Sequence, residues 1–188
     1  MKFCSQCGKP VDMRVPEGDN LPRHVCNHCD TIHYQNPKIV VGTLPVWEDK
    51  VLLCKRAIEP RYGCWTLPAG FMENAETLEQ GALRESREEA NANLELQGLY
   101  SIFSLTHVNQ VYVMYRARLL DLDFHPGIES LEVALFEEKD IPWEQLAFRT
   151  IHHTLEYFFA DRQHGNFSVH SHSIHANNRE AVTRAVKD

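Results

Sequence analysis

An acidic run between Gly70 and Glu89 holds the residues of this chain most suited to chemistry. It reads GFMENAETLEQGALRESREE. Its residues favour a helix, which would place Glu85, Glu88 and Glu89 at positions i, i+3 and i+4. Like charges at these spacings destabilise a helix by about 0.2–0.5 kcal/mol per pair. A bound divalent cation would reverse that penalty, and carboxylate oxygens suit magnesium.

The angular positions of these carboxylates indicate that two of them face the protein interior. At about 100° per residue, one face of the helix carries small or apolar residues, namely Ala75, Leu78, Ala82, Ser86 and Ala90. Glu85 and Glu89 project into the same sector, whereas a solvated helix keeps its carboxylates on the opposite side. Inward carboxylates must be paired or metal-bound. The alternative is a salt-bridged surface, with Arg84 four residues before Glu88.

The spacing of the acidic run resembles the Nudix box. The glycine and charged positions of that motif are occupied here by Gly70, Glu76, Arg84, Glu85, Glu88 and Glu89. Ser86, Asn91 and Ala92 depart from the motif, at packing and helix-end positions rather than ligand positions. The resemblance implies that the three helical glutamates hold Mg²⁺ (or Mn²⁺), with the Gly70 carbonyl as a further ligand. It also implies that Arg84 orients the helix through a carboxylate such as Glu76.

The chemistry of a metal-bound acidic cluster points to phosphate esters or anhydrides. Glutamates repel an anionic phosphate, but divalent cations between them neutralise both sides and lower the pKa of a bound water. The implied reaction is hydrolysis of a diphosphate linkage by water attacking phosphorus. In many Nudix enzymes an acid outside the box serves as general base. Here Glu129 or Glu132 would fill that role, with Glu73 as a third candidate, and a solvated loop acid is the alternative for each.

Four cysteines near the N-terminus predict a structural zinc site. Cys4 and Cys7 form one CxxC pair, Cys26 and Cys29 form another, and eighteen residues separate the pairs. This spacing is typical of four-cysteine zinc sites. Disulfides would need an oxidising compartment, and the sequence carries no secretory signal, so a cytoplasmic protein is expected. The two remaining cysteines, Cys54 and Cys64, stand alone and are expected to be small buried or half-buried apolar residues.

Composition fits one catalytic domain plus the zinc ribbon and disfavours two classes of partner. The 188 residues are 43% hydrophobic with net charge −7. No apolar run approaches the roughly 20 residues of a membrane span, and no basic run predicts a nucleic-acid surface. The predicted units are a zinc ribbon over 1–34, a catalytic domain over 35–162 and a C-terminal extension over 163–188, whose polar tail (176–188) is expected to fray.

The hydrophobic periodicity predicts an α+β fold. Strands are predicted over 39–47, 50–56, 94–105, 111–119 and 131–136, helices over 75–90 and 148–161, and a last extended segment over 167–174. Strands lie before and after the helix at 75–90 without regular strand–helix alternation, which argues for a mixed α+β sandwich. This agrees with the Nudix-type α/β/α sandwich with a mixed sheet, preceded by a small zinc ribbon, that the box implies.

The substrate is predicted from a wider resemblance. A zinc ribbon before a Nudix domain resembles the NADH pyrophosphatases, but their proline-rich motif after the box is here the proline-free YSIFSLTH of residues 100–107. The chain is more similar to plant-type FAD and ADP-ribose pyrophosphatases over residues 3–174, in the segments YQNPK (34–38), VLLCKR (51–56), WTLPAG (65–70), PG (126–127), ESLE (129–132) and LAF (146–148). This implies a small-molecule substrate, cleaved as FAD to FMN and AMP or as ADP-ribose to AMP and ribose 5-phosphate.

Several functional alternatives stay open at this stage. They are an NADH pyrophosphatase, an RNA-end hydrolase and a zinc-ribbon protein that binds a nucleotide without cleaving it. A homodimer is common among ADP-ribose-type Nudix enzymes. Candidate substrate contacts are the phosphate-binding Arg56 and Arg61 and the stacking residues Trp47, Tyr62 and Trp65.

Overall fold

The computed structural model describes residues 1–176, in two compact units. The first unit spans Met1–Pro37 and the second begins at Lys38. The predicted division into 1–34, 35–162 and 163–188 stays a prediction, and the expectation of a frayed tail lies, from residue 177 on, outside the described residues. Within residues 1–176, no helix is both long and apolar enough to cross a membrane.

The first unit is a small antiparallel sheet built around the cysteines. Its strands are β1 (Val11–Arg14), β2 (Arg23–Cys26) and β3 (Ile32–His33), in the order β1-β2-β3. Val25, Cys4 and Cys26 are its buried apolar residues. Three such side chains cannot offset the entropy of ordering a unit of this size, so a metal is the expected source of its stability.

The second unit is built on a mixed sheet. Its strands are β4 (Lys38–Trp47), β5 (Lys50–Arg56), β6 (Trp65–Thr66), β7 (Ala69–Phe71), β8 (Leu94–Leu105), β9 (Gln110–Leu119), β10 (Ser130–Phe136) and β11 (His170–Ser173). The order is β10-β5-β4-β9-β8-β11, with β6 beside β5 and β7 beside β4. The β4–β9 and β8–β11 pairs are parallel and the others antiparallel. The predicted mixed sheet is therefore confirmed.

Two helices cover opposite faces of this sheet. They are α1 (Leu78–Ala90) and α2 (Arg149–His164), and short 3-10 turns lie at Glu138–Asp140 and Trp143–Gln145. Successive side chains of a strand point to opposite faces. On β5, Val51 and Leu53 belong to the core cluster that includes Ile151 and Leu155 of α2. Leu52 and Cys54 belong instead to a cluster that includes Ala90 of α1. This alternation is the signature of the predicted α/β/α sandwich.

Local signals fix both ends of α1. Thr77 is its N-cap, and the Thr77 hydroxyl and the Gln80 side chain each accept a hydrogen bond from the other residue's backbone N–H in a capping box. The helix therefore begins at Leu78, three residues later than predicted. It ends at Asn91, which adopts a left-handed φ of 51°. Asn91 thus performs the helix-ending role that glycine has in the Nudix box.

The serine that departs from the box is accommodated by a hydrogen bond. Ser86 is fully buried in α1, where the motif has an aliphatic side chain. Its Oγ donates to the carbonyl of Ala82 at 2.8 Å and lies 2.7 Å from Oγ1 of Thr43 on β4. Because both hydroxyls have partners, this polar pair can be buried without the penalty of an unsatisfied group.

Candidate active site

A cavity of about 800 Å³ opens beside α1 in the second unit. Its walls carry six glutamates and two arginines, namely Glu59, Glu73, Glu85, Glu88, Glu89, Glu129, Arg56 and Arg84. The three glutamates of α1, Arg84 and the predicted loop acid Glu129 therefore line the same cavity. Gly70, at the centre of β7, also lines the cavity.

The helical carboxylates differ in burial as the angular argument predicted. Glu85 and Glu89 are only 8% and 6% exposed, whereas the side chain of Glu88 is 59% exposed. Burial raises the pKa of Glu89 to about 8, although the backbone N–H of Ala69 donates to its Oε2 at 3.1 Å. Burial also raises the pKa of Glu85. Ionising these groups requires a nearby positive charge.

Arg84 supplies part of that charge through a fork of hydrogen bonds. Its Nε and Nη2 donate to the two carboxylate oxygens of Glu76 at 3.0 and 2.8 Å. Its Nη1 donates to Glu85 at 2.7 Å and to Glu88 at 3.0 Å. The Arg84 guanidinium lowers the pKa of Glu76 to about 2. The ion pair expected between Arg84 and Glu76 is therefore present. The salt bridge between Arg84 and Glu88, which the alternative of a solvated helix face predicted, is present as well. Glu85 and Glu89 are nevertheless buried, so the helix face is not simply a solvated surface.

Two glycines allow the backbone to approach α1 closely. A Cβ placed on Gly70 would lie 2.4 Å from both carboxylate oxygens of Glu85. A Cβ placed on Gly127 would lie 1.7 Å from the Glu88 carbonyl oxygen, and the Gly127 N–H donates to the Glu89 carbonyl at 3.0 Å. Only glycine fits at such contacts. The first contact brings the backbone of β7 against a predicted metal ligand, and the second fixes the loop before Glu129 to the end of α1.

The predicted general bases are separated by the structure. Glu129 lines the cavity, and its carbonyl accepts a hydrogen bond from the Ala57 N–H at 2.8 Å. Glu132 lies on β10, where its Oε2 is 3.5 Å from Lys55 Nζ. Among the described residues, Glu132 does not line the cavity. An irregularity in the strand register falls between Ser130 and Glu132. Glu73 also lines the cavity and stays a candidate.

The predicted substrate contacts are only partly brought to the cavity. Arg56 lines it, with its guanidinium 5.2 Å from the ring centroid of Phe148. Trp65 is 6% exposed and belongs to the core, Trp47 packs against a second core cluster, and Tyr62 is 58% exposed. Sequence reasoning missed the wall residues Glu59, His107, Gln110, Tyr112 and Ile128. No local motif marks them, because distant loops and strands bring them together.

The four predicted zinc ligands converge in the first unit. Sulfur–sulfur distances are 3.7 Å for Cys4 and Cys29, 3.5 Å for Cys7 and Cys26, and 3.5 Å for Cys7 and Cys29. Tetrahedral zinc with bonds of about 2.3 Å holds its sulfurs about 3.8 Å apart. Nε2 of His33 lies 3.3 Å from the Cys4 sulfur, as expected of a group that hydrogen-bonds a metal-bound thiolate. The donor set and its spacing therefore fit zinc.

Comparisons with known proteins agree with both units. Residues 2–35 match the zinc-ribbon family described as Nudix N-terminal, and residues 36–176 match the NUDIX domain. A crystal structure of a NUDIX hydrolase from Nitrosomonas europaea is 61% identical, with a TM-score of 0.88, covering 93% of this chain and 100% of that one.

Two curated relatives carry names that refer to substrates. An ADP-ribose pyrophosphatase from Methanocaldococcus jannaschii is 28% identical over 121 residues, covering 61% of this chain and 69% of that protein. A NAD-capped RNA hydrolase, NudC, from Salmonella heidelberg is 38% identical over 96 residues, covering 50% of this chain and 35% of that protein. The chain thus spans about a third of the length of NudC. Since the NUDIX match covers most of the sequence, the chain belongs to the NUDIX family of hydrolases, with a zinc ribbon before the NUDIX domain.

Proposed function

We propose that this hydrolase cleaves the diphosphate linkage of a dinucleotide or nucleotide sugar with Mg²⁺ (or Mn²⁺) bound by Glu85, Glu88 and Glu89. FAD, cleaved to FMN and AMP, and ADP-ribose, cleaved to AMP and ribose 5-phosphate, are the first substrates to test. The observation that carries the proposal is the burial of Glu85 and Glu89 in the wall of the acidic cavity. Buried carboxylates without enough compensating charge are costly unless a cation binds them.

The donor chemistry of the cavity fits a hard divalent cation. The ligands would be carboxylate oxygens, with the Gly70 carbonyl beside Glu85 as a further oxygen. One guanidinium, that of Arg84, is shared among Glu76, Glu85 and Glu88. Three nearby carboxylates are therefore matched by a single positive charge from Arg84. When bound, the metal would polarise the phosphoryl oxygens and lower the pKa of a coordinated water.

The protein groups have separate roles in this proposal. Arg84 positions Glu85 and Glu88 through the hydrogen bonds described above. Glu129, on the loop that packs against the end of α1, would accept the proton of the attacking water. Arg56 would pair with a phosphate oxygen of the substrate. The position of all three residues in the cavity wall supports these proposed roles.

The alternatives differ in what supports them. The similarity to NudC, a relative named as a NAD-capped RNA hydrolase, supports the diphosphate linkage of an NAD group as a second candidate substrate. A net charge of −7 argues against nucleic acid as the principal partner. A protein that only binds nucleotides would have no need of three clustered glutamates. A homodimer and a cytoplasmic location stay predictions.

The substitution Glu88→Gln tests the metal assignment. Glu88 is the exposed member of the cluster, so the fold should persist while turnover falls at least 100-fold, or about 2.7 kcal/mol in transition-state stabilisation. The assay is kcat/KM for FAD, ADP-ribose, NADH and diadenosine polyphosphates at saturating Mg²⁺. Glu95→Gln is the matched control, because Glu95 is exposed on β8 and pairs with Arg118. Normal turnover by Glu88→Gln would refute the proposal.

A further inference from the structure

Helix α2 carries a further group of side chains with the donor atoms of a metal site. His152, His153 and Glu156 each present one ligand atom, and these three atoms lie within 4.8 Å of one another. The group belongs to the second unit, apart from the four cysteines of the first. None of its three residues lines the acidic cavity beside α1. It therefore has no part in the chemistry proposed for that cavity.

The spacing along the helix brings both imidazoles to one carboxylate. Glu156 follows His153 by three residues and His152 by four, and residues at these spacings are neighbours on a helix surface. Oε2 of Glu156 lies 3.2 Å from His152 Nδ1 and 3.0 Å from His153 Nδ1. Zinc with bonds of about 2.0–2.1 Å to nitrogen and oxygen holds tetrahedral ligands about 3.3 Å apart. The two measured distances are close to those between ligands that share one ion.

Packing against neighbouring rings restrains both histidines. The His152 ring lies edge-on to Trp143, with the ring centroids 5.0 Å apart. The His153 ring lies edge-on to His172 of β11, with the centroids 5.2 Å apart. Nδ1 of His172 is in turn 3.0 Å from the Tyr157 hydroxyl. Because these contacts limit ring rotation, less conformational entropy is lost when an ion binds.

The three side chains are also accessible to an ion from solvent. The exposed fractions are 42% for His152, 30% for His153 and 49% for Glu156. The two histidines line a cavity of about 510 Å³ at the start of α2, which has room for water beside a bound ion. Three protein ligands leave at least one position of a four-coordinate ion open. A bound ion would therefore keep a water or a small anion as an exchangeable ligand.

The charges around the group bear on the kind of ion that it binds. Glu156 supplies the one carboxylate of the three ligands, whereas Arg149, three residues before His152 on α2, and Arg61 lie in the cavity wall. Electrostatic attraction for a cation is therefore weak, so binding depends on coordinate bonds to the imidazole nitrogens. Imidazole suits zinc, copper, iron and nickel, whereas magnesium prefers oxygen ligands. The donor set thus favours a transition-metal ion over Mg²⁺.

We propose that His152, His153 and Glu156 form a binding site for a divalent transition-metal ion, with Zn²⁺ as the reference ion. The site is independent of the magnesium chemistry proposed above and of the zinc predicted for the ribbon. The alternative is that the histidines only make side-chain contacts with Glu156 on the helix surface. That alternative predicts that substituting these residues leaves the metal content of the protein unchanged.

The first experiment counts bound zinc by equilibrium dialysis of the full chain. Protein that already holds its ribbon zinc is dialysed against increasing Zn²⁺ in a buffer with excess Mg²⁺. The wild type should bind one further zinc saturably, and His153→Gln and Glu156→Gln should each weaken this binding at least about tenfold. His164→Gln is the matched control, because His164 is an exposed histidine on the same helix, and it should bind as the wild type does.

Three results of the dialysis would overturn the proposal. They are a wild type that takes up no further zinc, a test variant that binds it as tightly as the wild type does, and a control weakened as much as the test variants. Because no hydrolysis is measured, failure of the proposed function leaves this test unaffected.

The second experiment identifies the donor atoms from the visible spectrum of Co²⁺ added to the zinc-loaded protein. Thiolate sites select zinc, so the cysteines keep their zinc. Cobalt held by imidazole and carboxylate should give d–d bands without thiolate-to-metal charge transfer. These bands should be lost in His153→Gln and kept in His164→Gln. Thiolate charge transfer as the only signal, or d–d bands of equal strength in these two variants, would contradict the assignment.

Discussion

Glu89→Gln should change how the stability of the second unit depends on pH. Burial raises the pKa of Glu89 from its ordinary 4.5 to about 8. Between these values the unfolded chain has lost the proton that the folded protein keeps, so the wild type loses stability as pH rises and the loss is complete above about pH 8. At 1.36 kcal/mol per pKa unit, the total is on the order of 5 kcal/mol.

Glutamine imitates the protonated carboxyl and cannot ionise. Its side-chain oxygen can still accept the hydrogen bond from Ala69 that Glu89 accepts. In Glu89→Gln the pH-dependent loss should therefore disappear. The stability of the variant minus that of the wild type should rise by several kcal/mol between about pH 5 and pH 8.5. Because the comparison is a difference, titrations shared by both proteins cancel to a first approximation.

Urea unfolding followed by tryptophan fluorescence measures this difference. All three tryptophans, Trp47, Trp65 and Trp143, lie in the second unit, so the signal is independent of the zinc ribbon. The buffer is magnesium-free but retains the zinc. Saturating Mg²⁺ should then stabilise the wild type at pH 8 far more than the variant. Parallel pH profiles for the two proteins would refute the burial argument.

Three further predictions concern the proposed magnesium site, the proposed general base and the predicted zinc site. Gly70→Ala should weaken activation by Mg²⁺ at least tenfold, because the new Cβ would displace the Glu85 carboxylate; superimposable magnesium titrations of activity would contradict this. Glu129→Gln should lower kcat by about 10²–10⁴-fold and Glu132→Gln by less than about twofold, and equal losses in steady-state assays would remove the distinction between them. Cys26→Ser should abolish zinc binding and unfold the first unit at a lower temperature, as measured by zinc content and circular dichroism; a variant with full zinc and an unchanged melting curve would show that the ribbon is not held by this site.

Residues close together in sequence accounted for most of what could be predicted. The angular positions on α1 predicted that Glu85 and Glu89 face inward, since a helix repeats on a fixed angle. The start of α1 was predicted three residues too early because the apolar face was extended back to Ala75. Ala75 has a φ of 66°, and the Thr77–Gln80 capping box, which is readable in the sequence, sets the boundary instead.

The features of the site that the sequence did not predict depend on contacts between residues far apart in the chain. Glu129 and Glu132 are three positions apart, and only the register of β10 against β5 separates one from the cavity. Trp65 was a candidate for stacking on substrate, but packing against α2 and Phe136 places it in the core. A cavity of about 510 Å³ is lined both by Arg61, in the loop after β5, and by the first residues of α2, and no local pattern in the sequence predicts that these two segments meet.

The contact between Gly127 and the Glu88 carbonyl has a consequence for protein engineering. Exposed loops usually tolerate insertions and exchange between homologues. The loop before β10 is an exception, since it touches the helix end at a point with no space for a methyl group. Grafted loops should keep Gly127 and its two-residue distance to Glu129, whereas changes in length are better placed before Pro126. Substrate range is therefore more safely redesigned from the β5–β6 connection than from this one.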